Sequence, residues 1–388
     1  MTAPRAILLD HAAGTPPDPE LVAAWRGAMD ALWAPTGGVH DASARARDAL
    51  EGARADVAGL IGADPDDVVF TAGPTEARVT AVAGLLDAND ALGAHAVASA
   101  LEHPSVLWAL RRRDASGGSF TAAPAEPDGT LTPAGVVDAM RDDTALVCVH
   151  HAQADVGTVQ DVAGLVAAVR ARRPDVRVHV DAASAAGVLP VDVAQYGADA
   201  VSLGGPALGL PGFVGALWVR PGARMTPLVG GGEQQWGRRA GPEDVPAAVA
   251  MAWAARRAAG RDDRADLTRR AQRLWDGLAG LGDVRLNGPP IARRLPGNVH
   301  ASFGRVTGET LAVALAAYGV AVSPGSACAA LAGKASPVLE AMGEEPPWSL
   351  ASVLFSLAPG GDDHDIDEAL ERIAACLGRL RLHRIPGA

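Results

Sequence analysis

Short apolar runs alternate with amphipathic stretches through the first two thirds of the chain. The apolar runs predict strands, which are Val68–Phe70, Ala96–Ala98, Ala145–Val149, Val176–Val180, Ala200–Leu203 and Phe213–Val219. Alternation of strands and helices predicts a mainly parallel sheet that is covered by helices on both faces. In such sheets, ligands gather beyond the carboxyl ends of the strands.

One amphipathic stretch shows the helical period clearly. Val162, Leu165, Val166 and Val169 are spaced i, i+3, i+4 and i+7, which places the four side chains on one helix face. Asp161 directly precedes them, and we predict that it is the N-cap of this helix.

The pattern changes from about Pro246 to long helices that are rich in alanine and arginine. A smaller α+β region follows, with predicted strands near Asn298–Phe303 and Val320–Val322 and a terminal helix from about Ile366 to Leu380.

A chain of 388 residues is too long for one simple core, so we expect two domains. The large α/β domain is predicted to span residues 15–250. The small α+β domain is predicted to combine residues 1–14 with residues 251–388, and to carry the loop that contains Cys328.

Composition and charge exclude several classes of function. Hydrophobic residues make up 48% and charged residues 20%, as in an ordinary globular protein. A net charge of −11 argues against a nucleic-acid-binding surface, which needs a basic patch.

The first residues lack a signal-peptide pattern, and no apolar run approaches the ~18 residues of a membrane span. Three scattered cysteines are too few for a disulfide framework. We expect a cytoplasmic protein with no nucleic-acid or membrane partner, and we assign no metal site.

Two motifs place polar groups directly after predicted strands. Ala72-Gly-Pro-Thr-Glu76 opens a helix, where backbone amides and the Thr75 hydroxyl can hold a phosphate. Glycine-containing turns are also common before helices that bind nothing. Glu102-His-Pro-Ser105 places His103 after a strand, where a histidine is usually a helix-start or solvent residue.

The segment Val178-His-Val-Asp-Ala182 ends a buried strand in an aspartate. A buried carboxylate is costly unless it is paired, so Asp181 needs a cationic partner. The alternative is an aspartate that caps nearby backbone amides.

The loop Ser323-Pro-Gly-Ser-Ala-Cys328 allows two interpretations. Cys328 is either a reactive thiol, exposed and activated as a thiolate, or a small buried apolar residue. The loop context and two small neighbours favour the reactive thiol. Cys148 lies inside a predicted strand and Cys376 on a helix face, so we predict that both belong to the core.

Together with the segment Ser202–Leu217, these motifs resemble those of the cysteine desulfurases of the class V aminotransferase family, over nearly the whole chain. The resemblance implies a fold-type-I architecture for pyridoxal phosphate (PLP) enzymes, with a mainly parallel seven-stranded sheet in the large domain. It also implies a homodimer with the active site between subunits. Thr75 would then bind the cofactor phosphate, His103 would stack on the ring, Asp181 would pair with the ring nitrogen, and Cys328 would carry a persulfide.

The same resemblance places different residues where the family has ligands. The Schiff-base lysine falls on Ala207, and the only lysine of the chain is Lys334. The other replaced ligands are a phosphate-binding histidine (Pro206), an asparagine that bonds the ring's phenolic oxygen (Ala154), the glutamine after the ring-pairing aspartate (Ser184), a threonine that reaches the partner subunit (Pro242) and the arginine that clamps the substrate carboxylate (Leu354).

These losses cluster by function, because an aldimine requires an amine and a carboxylate clamp requires a guanidinium. We therefore expect a cysteine-desulfurase-like protein of sulfur metabolism that is not itself a competent PLP desulfurase. No cofactor would be bound covalently, and any binding of PLP could only be non-covalent. The chain would relay sulfur through Cys328, or serve as a non-catalytic partner of an active desulfurase or a sulfur-acceptor protein.

Three alternatives stay open. In the first, Ala207 is an engineered replacement of lysine in a genuine desulfurase, which leaves the other replaced ligands unexplained. In the second, the protein is an enzyme that holds PLP non-covalently. In the third, the pocket has evolved for an unrelated small molecule, with Ala154, Ser184, Ala207 and Leu354 making it more apolar. Lys334 as a substitute amine would require a rebuilt small domain, so an exposed lysine is the better interpretation.

Overall fold

The structure is a computed structural model that describes residues 5–115, 117–211, 214–325 and 335–382. Its strands are β1 (Ile7–Leu8), β2 (Val68–Thr71), β3 (His95–Ser99), β4 (Ser119–Ala123), β5 (Thr144–His150), β6 (Arg177–Asp181), β7 (Ala200–Gly204), β8 (Gly215–Val219), β9 (Val284–Leu286), β10 (Asn298–Phe303), β11 (Val320–Ala321) and β12 (Ser352–Ser356). Its helices are α1 (Pro19–Ala31), α2 (Asp41–Ile61), α3 (Pro74–Ala88), α4 (Pro104–Asp114), α5 (Pro133–Asp138), α6 (Val162–Arg172), α7 (Val193–Tyr196), α8 (Val245–Ala259), α9 (Arg264–Ala279), α10 (Gly308–Ala317), α11 (Pro337–Ala341) and α12 (Asp363–Leu382).

The large sheet has seven strands in the order β2-β8-β7-β6-β5-β3-β4. Strand β8 runs antiparallel to both of its neighbours, and the other pairs are parallel. All six strands predicted from apolar runs are confirmed, with bounds shifted by one or two residues. The predicted mainly parallel sheet is confirmed as well.

The two faces of the large sheet are covered by different helices, as side-chain alternation along the strands requires. In β5, Val147 and Val149 pack into the core that includes α1, α2, α6 and α8. Leu146 and Cys148 pack on the opposite face, against α3 and α4. Cys148 is therefore a core residue, as the sequence predicted.

Helix α6 confirms the predicted amphipathic helix. Its four periodic residues are all buried in the large-sheet core. The Asp161 carboxylate accepts a hydrogen bond from the Gly164 amide, which is the predicted N-cap contact.

A second core surrounds the three-stranded antiparallel sheet β12-β10-β9 and includes α9, α10 and α12. Ile7 of β1 belongs to this core, and β1 pairs in parallel with β11. Cys376 is buried here, as predicted, and the predicted strands and terminal helix of this region are confirmed. The domain bounds inferred from the sequence stay a prediction. Among the helices that the structure describes, none is long and apolar enough to cross a bilayer.

Candidate functional site

Polar side chains meet at the carboxyl ends of three neighbouring strands. In the sheet register, Asp181 at the end of β6 lies opposite His150 of β5 and Ser202 of β7. All three residues are buried, on the face that α3 and α4 cover. Carboxyl ends of parallel strands are where ligands bind in sheets of this kind, so we take this edge as the candidate site.

Asp181 has the cationic partner that its burial required, and the partner is Arg78 of α3. The Arg78 Nε donates to the Asp181 Oδ2 at 2.6 Å, and each side chain is only 6% exposed. The other oxygen, Oδ1, accepts from the Ala183 amide at 3.0 Å and from the Ser202 hydroxyl at 3.1 Å. Both sequence interpretations of Asp181 are therefore realised together: an ion pair and a backbone cap.

The electrostatics of this pair favour an ionised carboxylate. Burial by itself would raise the pKa of Asp181, but the charge of Arg78, the neighbouring His179 and the hydrogen bonds to the carboxylate lower it to about 2. At neutral pH the site therefore holds a carboxylate that is neutralised within the protein.

Arg78 is the functional residue that the sequence analysis missed. It lies within a run of α3 in which every residue from Ala77 to Val82 is buried. An arginine inside such a run is itself a signal, because charged side chains are almost never fully buried unless they are paired.

The hydrogen-bond network continues from Asp181 into the sheet. Because the Ser202 hydroxyl donates to Asp181, it accepts from the His179 Nε2, which lies 3.1 Å away. This assigns the proton of His179 to Nε2, and the buried Nδ1 has no hydrogen-bond partner. Burial lowers the pKa of His179 to about 4, so the ring is neutral at pH 7.

A second buried pair lies beside the first. The His150 Nδ1 is 3.1 Å from the Glu102 Oε1, and the His150 Nε2 is 3.2 Å from the side-chain amide of Gln160. Burial raises the pKa of Glu102, and its Oε2 has no hydrogen-bond partner. The buried polar side chains of Glu102, His150 and Gln160 are thus hydrogen-bonded to one another.

His103 is the N-cap of α4, a helix-start position of the kind expected for a histidine after a strand. Its Nδ1 accepts from the Ser105 amide at 3.1 Å and lies 2.8 Å from the Ser105 hydroxyl. Burial and then the charge of Arg78 lower the pKa of His103 to about 4. His103 is therefore a neutral ring at pH 7, and its role as a stacking residue stays a prediction.

Thr75 lies exposed in the first turn of α3. The turn before it needs Gly73, which has a φ of 137°, a conformation that favours glycine. Gly204 at the end of β7 lets the turn approach the sheet, because a Cβ there would lie 3.1 Å from both Pro74 and Ala183. The Ala72 amide already donates to the Glu76 carboxylate at 2.8 Å. Phosphate binding by Thr75 stays a prediction.

A cavity of about 700 Å³ opens next to these strand ends. Four of the positions at which the family has ligands line it together: Ala154, Ser184, Pro206 and Ala207. Ala207 lies half-buried in the short 3₁₀ turn Pro206–Leu208 that follows β7. The tertiary structure thus brings together residues that are up to 53 positions apart in the chain.

The described residues that line this cavity do not include Leu354 or Pro242, nor Thr75, His103 or Asp181. For Leu354 this differs from the expectation that it makes the pocket more apolar. Leu354 is buried in β12, where its backbone pairs with Ser323 through hydrogen bonds of 2.8 and 3.1 Å. The cavity wall takes Ser356 from this strand instead. Pro242 is exposed in the segment before α8.

The charged groups at the cavity are already paired with one another. Arg257, Arg261 and Arg264 each lie 3.0 Å from the carboxylate of an aspartate that also lines the cavity. No lysine occurs among the described lining residues, because the only lysine of the chain is Lys334. Lys334 and Cys328 both lie outside the described residues.

The fold and this site define a class of protein. The family model for class V aminotransferases matches residues 7–368. Cysteine desulfurase IscS 1 of Archaeoglobus fulgidus is 33% identical over 374 residues, which cover 96% of this chain and 97% of that protein. Cysteine desulfurase IscS of Aeromonas hydrophila is 35% identical over 384 residues, which cover 97% and 93% of the two chains.

Solved structures agree with this assignment. A NifS-like protein superimposes with a TM-score of 0.89 over 96% of this chain and 100% of its own, and at 24% identity it shows the fold alone. DndA from Streptomyces lividans superimposes with a TM-score of 0.74 at 30% identity, over 91% and 99% of the two chains. The predicted fold-type-I architecture is confirmed. The chain belongs to the class V aminotransferase family, and within it to the proteins that are similar to cysteine desulfurases.

The family depends on PLP, but the described residues of this chain do not fit the cofactor as the family holds it. Ala207 has no amine for a Schiff base. The Asp181 carboxylate, which would pair with the ring nitrogen, is already paired with Arg78 at 2.6 Å. We therefore derive no catalytic step through PLP.

Proposed function

We propose that this chain is a cysteine-desulfurase-like protein of sulfur metabolism that does not itself release sulfur from cysteine. The position of Ala207 carries the proposal. It lies on the cavity wall where the resemblance requires a lysine, and the three replaced positions around it also lack the family's ligands. Chance drift would not be expected to change four residues that line one cavity while both oxygens of the buried Asp181 carboxylate keep hydrogen-bond donors.

The chemistry that is missing is specific. A Schiff base forms only on an unprotonated amine, and an arginine stays protonated at all accessible pH values. The arginines around the cavity therefore cannot replace the lysine. Leu354, at the position of the family's carboxylate clamp, offers neither charge nor donors.

We propose two roles that are compatible with this chemistry, and sulfur relay is the first. The Cys328 thiolate would attack the terminal sulfur of a persulfide on a donor protein. One S–S bond forms at Cys328, the donor's S–S bond breaks, and the donor thiolate leaves, so that no oxidant is needed. This role rests on the loop Ser323–Cys328 in the sequence.

The second role is that of a non-catalytic partner of an active desulfurase or a sulfur-acceptor protein. Helix α1 and the residues after it expose Val22, Met29 and Trp33, and Trp33 is 72% exposed. Large exposed apolar side chains of this kind support an interface with another chain. The expected homodimer and a cytoplasmic location are part of this proposal, and the buried free thiols Cys148 and Cys376 agree with a reducing compartment.

A desulfurase assay tests the central claim. The purified chain is incubated with cysteine, PLP and a reductant, while released sulfide and the absorbance of a protein-bound aldimine are recorded. We expect no turnover and no aldimine band, since the described cavity offers no amine. Catalytic sulfide release by the unaltered chain would contradict the proposal.

A sulfur-transfer assay separates the two roles. The chain is mixed with an active cysteine desulfurase and ³⁵S-cysteine, and the label is located by mass spectrometry after tryptic digestion. Label on Cys328 that disappears in Cys328→Ser supports relay. Binding to the desulfurase without label on Cys328 supports the non-catalytic role, and the absence of both label and binding contradicts the two roles alike.

A further inference from the structure

The Arg78–Asp181 pair solves a physical problem that the family's cofactor would otherwise solve. A carboxylate at the end of a buried strand needs a positive charge nearby, because the cost of burying it alone is several kcal/mol. Asp181 is 5% exposed and Arg78 is 5% exposed, so neither charge is satisfied by water. They satisfy each other through the 2.6 Å contact between Arg78 Nε and Asp181 Oδ2.

The surrounding contacts occupy most of the acceptor capacity of the carboxylate. Arg78 donates to Oδ2, and the Ala183 amide and the Ser202 hydroxyl donate to Oδ1. A cationic ring that paired with Oδ2 in place of Arg78 would displace the guanidinium. The displaced guanidinium would then stay buried under α3 without its counter-charge, which opposes the exchange.

The position of Arg78 is built into the helix. Arg78 lies three residues after Thr75, about one helical turn further along α3, and every residue of the helix from Ala77 to Val82 is buried. The side chain therefore enters the site from the helix that would bind the cofactor phosphate at its N-terminus.

We infer that Arg78 is an internal replacement for the cofactor: its guanidinium occupies the place of the protonated ring nitrogen at Asp181, so that the chain folds without PLP and excludes it. The inference deepens the proposed function and rests on it for the identity of the excluded ligand. The loss of the lysine alone would prevent a Schiff base but would leave the place of the PLP ring open. Arg78 in addition occupies the place of the ring nitrogen.

Ligand binding to charge variants tests the inference without any enzymatic reaction. The probe is pyridoxine 5′-phosphate, the alcohol analogue of PLP, which has the ring nitrogen and the phosphate but cannot form a Schiff base. Its affinity is measured by calorimetry, and its effect on the unfolding temperature by a thermal scan. The proteins are the unaltered chain, Arg78→Ala, Arg78→Met and Arg78→Ala combined with Asp181→Asn.

We expect the unaltered chain to bind the probe at least ~10-fold more weakly than Arg78→Ala. The probe should raise the unfolding temperature of Arg78→Ala with increasing concentration, because a ligand that binds only the folded state stabilises it. The double variant should lose this response, since it has no carboxylate to pair with the ring nitrogen. Inorganic phosphate is the control for binding at the Thr75 turn alone, and it should not distinguish these proteins.

Two results would overturn the inference. One is equal affinity of the unaltered chain and Arg78→Ala for the probe. The other is an equal thermal response of Arg78→Ala and the double variant, which would place the probe away from Asp181. Arg78→Met preserves the side-chain volume and replaces Arg78→Ala if the latter does not fold. If neither variant folds, the test uses the unaltered chain and Asp181→Asn. The inference is overturned if the unaltered chain binds the probe tightly and Asp181→Asn weakens that binding. It is upheld if the unaltered chain does not bind the probe.

These outcomes are distinguishable from failure of the proposed function. Sulfide release by the unaltered chain removes the proposed function whatever the probe does. A probe affinity that is independent of Arg78 removes only the inference, and leaves the missing amine at Ala207 in place.

Discussion

Two halves of the candidate site differ in how they treat polar groups. At the strand ends, the Asp181 carboxylate is kept and has three protein donors, the strongest of which is the buried Arg78. On the cavity wall, at Ala154, Pro206 and Ala207, the side chains are apolar, although this is where the resemblance requires ligands. The comparison shows that a buried charge has to be compensated when a ligand is lost, whereas a wall residue that faces an open cavity can simply be replaced.

The largest change in the free energy of unfolding is expected when the ion pair between Arg78 and Asp181 is broken. Arg78→Ala leaves a buried carboxylate without its counter-charge and should lower the free energy of unfolding by about 3–5 kcal/mol. Urea unfolding measures the loss. The matched control is the double variant Arg78→Ala with Asp181→Asn, which removes the unpaired charge and should recover part of the stability. A loss below about 1 kcal/mol for Arg78→Ala would show that the pair is not the compensating element.

A smaller change in stability is expected from His179, which is hydrogen-bonded to Asp181 through Ser202, and this change depends on pH. The folded-state pKa of His179, about 4, is below its ordinary value of 6.5, so the unfolded chain takes up a proton first as the pH falls. Stability should therefore decrease between about pH 6.5 and pH 4, with His179 contributing up to about 3 kcal/mol. Urea unfolding as a function of pH measures this slope, which should be less steep in His179→Gln.

Asp181 provides the internal control for that experiment. Its folded-state pKa of about 2 is below its ordinary value, so its stabilising contribution is present above about pH 4 and is lost only as the pH falls towards 2. The Asp181 carboxylate raises the pKa of His179, so Asp181→Asn should lower that pKa further and should not reduce the slope between pH 6.5 and pH 4. If Asp181→Asn reduces this slope and His179→Gln does not, the assignment of the titrating group is wrong.

The smallest change in stability is expected on the cavity wall. Ala207→Lys adds a half-buried side chain next to open space and should change the free energy of unfolding by less than about 1 kcal/mol. With PLP, this single variant should show no aldimine absorbance band, because Arg78 still holds Asp181. Ala207→Lys combined with Arg78→Ala should show the band. A band in the single variant would mean that Ala207 is the only barrier, and that the two halves do not differ as described.

The local pattern of apolar residues was sufficient to predict most of the strands and helices. The apolar strands and the periodic helix α6 were predicted, because a strand buried on both faces and a one-sided helix need only their own sequence to show their period. The need of Asp181 for a cation could also be predicted, since burial of its strand was evident. The partner was not predicted, because Arg78 is 103 positions away and nothing local links the two.

The sequence by itself determined that the chain belongs to this fold, that its one lysine is not at position 207, and that Asp181 is buried at a strand end. Those properties follow from residue identity and from periods of two and 3.6 residues. Only the tertiary structure decided that Arg78 neutralises Asp181, that four replaced ligands share one cavity, and that Leu354 lies outside its wall. These depend on distances between residues remote in sequence, and such distances are set by how α3, the large sheet and the small sheet pack together.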